Sequence, residues 1–109
     1  MFSYDVWLFN FRGNYYSTEH MDRDTHNSDY ISNPYWHFSM DEIIKYDLKS
    51  NIDYVLALTG YEKLHYIGHS QGTFVFFMGY TLFPEFLDKT IDRFVAIGPA
   101  FSDISTVSY

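Results

Sequence analysis

Cysteine is absent from this 109-residue chain. Its absence removes disulfides and thiol catalysis and leaves the redox compartment undecided. Proline is scarce, with three residues, and no low-complexity tract, internal repeat or domain linker interrupts the chain. Basic residues are few: seven Lys and Arg against fourteen Asp and Glu give a net charge of −7. No basic cluster occurs, which argues against a nucleic-acid partner and mildly against an electrostatic grip on anionic membranes. No N-x-[ST] sequon is present. The opening "MFSYDVWLF" lacks the basic start and the apolar run of a signal peptide. The longest apolar stretch, Thr73 to Phe83, is too short and too interrupted to span a bilayer, so no transmembrane segment is expected.

Aromatics are abundant instead. Eleven Phe, eleven Tyr and two Trp make up 22% of the residues. Such a load belongs in a core or on a surface that meets another apolar body. The length allows one domain with one modest core.

Tyr4 to Asn10, "YDVWLFN", is rich in β-formers and predicts a strand buried on both faces. Arg12, Gly13 and Asn14 break it with turn chemistry. Tyr15 to His37 has no period and reads as a long loop, ordered by its aromatics. Ser39 to Thr59 is the clearest helix: Ser39 and Glu42 form a capping box. Ile44, Leu48, Ile52, Val55 and Leu56 share one face, and Gly60 stands where a left-handed cap belongs. "KLHYIG" predicts a short strand. Gln71 to Phe83 predicts a second helix, apolar all round and therefore buried, ended by Pro84. "EFLDKTID" predicts a further helical turn or two, and "RFVAIGPA" a third strand. Alternation of this kind gives an α/β fold with a parallel sheet and crossover helices.

Between the second strand and the second helix stands Gly68-His69-Ser70-Gln71-Gly72. Strand, G-x-S-x-G, helix is the context of a nucleophile elbow. A serine hydroxyl is a poor nucleophile at neutral pH, and it needs exposure, a base and a place for negative charge to develop. A sharp turn gives exposure, and it crowds the backbone so that side chains two positions either side are unwelcome, a need that Gly68 and Gly72 answer. The same turn aims the Gln71 N–H at the point where Ser70 Oγ reacts. G-x-S-x-G also occurs by chance, and the plain alternative is a serine between two glycines.

Three blocks, "YDVWLFNFRGNYYSTEH", "YWHFSMDEIIKYDLKSNIDYVL" and "HYIGHSQGT", resemble in order the acid lipase family of α/β-hydrolases, over nearly all of the chain from Tyr4 to about Ala100. The resemblance implies Ser70 as the nucleophile and the Gln71 backbone N–H as half of the oxyanion hole, with Gly68, His69 and Gly72 shaping the elbow. It implies cleavage of long-chain fatty-acid esters, in triacylglycerols or sterol esters at a lipid–water interface, through an acyl-enzyme and without metal or cofactor. It also implies a secreted or lysosomal place of work. Phe9 and Phe11 depart from the family's smaller or polar residues, and His37 from an acidic one, so substrate preference does not transfer in detail.

The family's triad runs serine, acid, histidine along the chain, yet no histidine follows Ser70, and Asp88, Asp92 and Asp103 come too early to match the acid. The upstream oxyanion loop is missing too. In the family's fold a further strand lies between those matching "YDVWLFN" and "KLHYIG", so both are expected to show unpaired edges. The expectation is a central fragment of a longer enzyme, inactive alone. The alternative is a non-catalytic remnant that binds lipid or protein through its aromatic surface.

Among the other histidines, His69 is expected to pack or hydrogen-bond at the elbow and His65 to face a helix. His20 and His26 are expected in solvent, since "HMDRDTH" has no recognised ligand spacing. Arg12 and Asn14 are expected to anchor the turn after the first strand.

Overall fold

Two parallel strands and the helices that link them carry the centre of the chain. The computed structural model describes residues 3–26, 29 and 31–101; Asp103 lies outside them. Strand β1 (Leu64–His69) pairs in parallel with β2 (Ile91–Ile97), with His65 opposite Arg93 and His69 opposite Ile97. Parallel neighbours need a long crossover. Here it consists of α3 (Gln71–Leu82) and α4 (Pro84–Thr90), which meet at Phe83. Proline opens α4 because the first turn of a helix has no use for that N–H.

Before β1 runs a 20-residue helical stretch in three joined pieces: α1 (Met40–Glu42), a wide turn over Ile43–Leu48 and α2 (Lys49–Thr59). The joining residues all keep right-handed helical angles. Ser39 and Glu42 close the expected capping box, and Gly60, at φ +73°, ends the stretch. The expected face is the buried one: Ile44, Leu48, Ile52 and Val55 are buried and Leu56 is partly so. The wide turn, with its i→i+5 spacing, was not expected. Within it the adjacent Ile43 and Ile44 are both buried.

Leu48, Ile52, Val75 and Leu87 are the most fully buried side chains, so the core lies between the long helical stretch, α3 and α4. The inner face of β1 joins it through Tyr66, which packs against Phe9, Phe76 and Phe94. Along β1, Tyr66 and Gly68 point inward while His65, Ile67 and His69 point out. His65 therefore does not face a helix; it lies 3.4 Å from Asp92 on the open side of the sheet.

Other expectations give way as well. Tyr4 to Asn10 is not a strand, and Tyr4, Val6 and Leu8 are at least three-quarters exposed. A strand exists only through a ladder with a neighbour, and no described residue pairs its backbone with this segment in one. Ring contacts hold it instead, Tyr4 on His65 and Trp7 on Tyr54. Helix α3 is apolar all round yet buried on one side only, through Thr73, Val75, Phe76 and Gly79. Its outer side, with Met78, Tyr80 and Leu82, is exposed, and Met78 and Tyr80 line an open apolar groove with Phe77 and Phe101. The final strand starts at Ile91, two residues earlier than expected. The described residues of the loop before the long helix are irregular, as expected, apart from a 3₁₀ turn over Pro34–Trp36. Among the described residues no helix is long and apolar enough to cross a membrane.

Candidate active site

Ser70 stands between the last residue of β1 and the first of α3, at φ +49° and ψ −112°. Among the described residues it is the one non-glycine with positive φ. An L residue reaches that conformation only when its surroundings enforce it, and the bonds around it do so. The Ser70 N–H donates to Ile97 O at the end of β2 (3.0 Å), and Ser70 O accepts the N–H of Thr73 (2.9 Å).

A serine in front of a helix usually turns its hydroxyl onto a free N–H of the first turn. Here the hydroxyl makes no such cap, because the positive φ points the side chain elsewhere, and Ser70 is exposed. Gln71 opens α3, so its N–H has no helical carbonyl to meet. Its side-chain amide reaches away, to the Met40 sulfur at 3.2 Å.

The two glycines of the motif differ. A side chain at Gly68 would place its Cβ 2.9 Å from the carbonyl carbon and oxygen of Gly72 and from the Thr73 nitrogen. Strand and helix touch there, backbone on backbone. At Gly72, in contrast, a Cβ would meet nothing within 4 Å, so the expected crowding holds on one side of the serine only.

Two residues that sequence reasoning passed over brace the turn. Tyr66, buried beneath it, donates from its hydroxyl to Gly72 O (3.2 Å), and burial pushes its phenol up to about 12. Thr73, with no exposed surface, donates to Ser70 O (2.6 Å) and accepts from the Ala100 N–H (2.8 Å). The signal for Thr73 was its place three residues after a turn-forming serine. Tyr66 gave none beyond strand alternation.

No described histidine or carboxylate hydrogen-bonds the Ser70 hydroxyl. His69 lies on the exposed face beside Gly98, where an added Cβ would stand 3.9 Å from its Nε2. His20 Nδ1 accepts from the Asp22 N–H, and the Asp24 carboxylate accepts from the His26 N–H. Among the described residues no three His, Asp or Glu side chains gather to hold a metal ion. Arg12 does more than anchor its own turn. Its guanidinium and its backbone N–H both bind the Asp47 carboxylate, at 2.6–3.1 Å, in the wide turn of the long helix. Asn14 keeps to its turn, its Oδ1 accepting from the Tyr16 N–H.

The pattern of the alpha/beta hydrolase fold matches residues 2–108. The chain is 43% identical to gastric triacylglycerol lipase of Mus musculus over 106 residues, 97% of this chain and 24% of the relative. It is 41% identical to the human lysosomal acid lipase/cholesteryl ester hydrolase over 91% of this chain and 23% of that protein. With Lipase 1 of Drosophila melanogaster the identity is 46% over 90% of this chain and 21% of the fly protein. The chain thus spans about a quarter of the length of the curated relatives it matches. It belongs to the α/β-hydrolase family, on the branch that holds the acid lipases.

Proposed function

We propose that Ser70 is the nucleophile of a carboxylic ester hydrolase that acts on neutral lipid esters, triacylglycerols or sterol esters. The observation that carries this reading is the backbone at Ser70: strained, set between strand and helix, with an exposed hydroxyl that no cap engages. The relatives named as triacylglycerol lipase and cholesteryl ester hydrolase support the substrate class. Their gastric and lysosomal names support a secreted or lysosomal place of work.

In this reading Ser70 Oγ attacks the ester carbonyl carbon while a base takes its proton. The Gln71 N–H, at the positive end of α3, donates to the oxygen on which charge develops. The C–O bond to the alcohol breaks, the alcohol leaves with the proton, and water then cleaves the acyl-enzyme by the same steps. The chemistry requires a base and an acid, a pairing that no described histidine or carboxylate makes with the Ser70 hydroxyl, and no cofactor.

The test is fluorophosphonate labelling of the full-length protein, in which the Ser70 oxygen–phosphorus bond forms as the phosphorus–fluorine bond breaks. Label on the peptide that holds Ser70 is expected. Its loss in Ser70→Ala should accompany a fall of at least about a thousandfold in hydrolysis of emulsified triolein or cholesteryl oleate. A wild-type protein that takes no label, or takes it elsewhere, would sink the assignment and favour a binding protein without catalysis.

A further inference from the structure

Helix threonines commonly donate back to a carbonyl three or four residues earlier. In this chain Thr59, Thr81 and Thr90 do so, to Val55, Met78 and Phe86, and make no other side-chain bond among the described residues. Thr73 differs. Its hydroxyl donates to Ser70 O and also accepts from the N–H of Ala100, 27 residues on. The group is completely buried, so no water can replace either partner. The peptide unit before Ser70 is already tied to the end of β2 through Ile97 O. Through Thr73 the unit after Ser70 is tied to Ala100, just past that strand.

We propose that Thr73 is a positioning residue: its hydroxyl couples the Ser70 carbonyl to the Ala100 N–H, so that the segment just after β2 helps fix the backbone that aims Ser70 Oγ and the Gln71 N–H. The proposal rests on Ser70 being the nucleophile. A hydroxyl is the group the place requires, since it donates once and accepts at the same time, and β-branching restricts the rotamers open to it. Valine fills the same volume and does neither.

The experiment compares Thr73→Val and Thr73→Ser with wild type in the full-length protein. It reads the rate of fluorophosphonate inactivation, kcat and KM on a soluble short-chain p-nitrophenyl ester, and the melting temperature. Thr73→Val is expected to slow inactivation and lower kcat by about ten- to a hundredfold, with KM nearly unchanged, as small misplacements of reacting groups do. Thr73→Ser restores most of the rate. Should Thr73→Val not fold, Thr73→Ala takes its place under the same criteria. A hydroxyl-free variant that reacts at the wild-type rate overturns the proposal. So does a serine variant as slow as the hydroxyl-free one, which would make the role one of packing. A wild-type protein as unreactive as Ser70→Ala marks a different failure, that of the nucleophile assignment itself.

Discussion

From Leu64 to Ala100 the backbone is fixed by partners that belong to one strand pair and its crossover. Ser70 is held on one side by the end of β2 and on the other, through Thr73, by Ala100 just after it; Gly68 rests on Gly72, and Tyr66 braces the turn from below. From Ser3 to Phe38 the chain has ten aromatics against eight there, but its described residues form no ladder, and rings and one carboxylate attach it to the rest. Asp47 alone takes three donors of Arg12, its backbone N–H, Nε and a terminal guanidinium nitrogen. A chemical site demands the first kind of support, because each atom near the serine is located by several short bonds at once. The second kind locates a segment but not an atom.

The largest effect should come from the elbow itself. Gly68→Ala forces a Cβ against three backbone atoms that cannot turn aside, and we expect it to cost about 3 kcal/mol or more in denaturant titrations. Gly72→Ala should leave stability unchanged or raise it by up to about 1 kcal/mol, the helix preference for alanine over glycine. Equal losses in the two variants would show that crowding is shared across the turn.

Alkaline unfolding sharpens the same side of the comparison. Free tyrosine ionises near 10.0, and burial raises Tyr66 to about 12. The native state therefore keeps a proton that the unfolded chain has released. The stability is fully present below about pH 10 and falls as pH rises towards 12, by up to about 2–3 kcal/mol. Melting temperatures across that window should fall for wild type and change less for Tyr66→Phe. Parallel curves would mean that the phenol is open to solvent.

The smallest global effect should come from the other region. Asp47→Ala removes the carboxylate and leaves Arg12 half-buried without its partner, a loss of about 2 kcal/mol. Limited proteolysis should then cut within residues 3–38 sooner, while fluorophosphonate labelling of Ser70 stays within about twofold, as expected of sites without shared partners. Slower labelling would mean that the two regions act as one, joined through the rings of Tyr4 on His65 and Phe9 on Tyr66.

Local signals were legible in the sequence. The capping box, the buried face of the long helix, the glycine cap and the strand–serine–helix order each depend on residues a few positions apart, and each appears where those residues place it. What depends on a remote partner was not legible. "YDVWLFN" has the composition of a strand, but composition cannot supply the neighbour that makes one. Asp47 looked like one more charge on a helix, and nothing local pairs it with an arginine 35 residues earlier. Thr73 read as part of an apolar helix because its second partner arrives only after β2. Gly72 shared a motif with Gly68, and only the geometry separates them.

The angle at Ser70 has a consequence for how such a chain drifts. A left-handed φ on a residue with a side chain costs on the order of 1–3 kcal/mol, and glycine at the same place would relieve it. Stability and chemistry therefore pull this one position in opposite directions. In a lineage released from catalysis, mutation towards glycine meets no opposition from folding. Under the role proposed for Ser70, position 70 is thus where loss of the reaction would be recorded first.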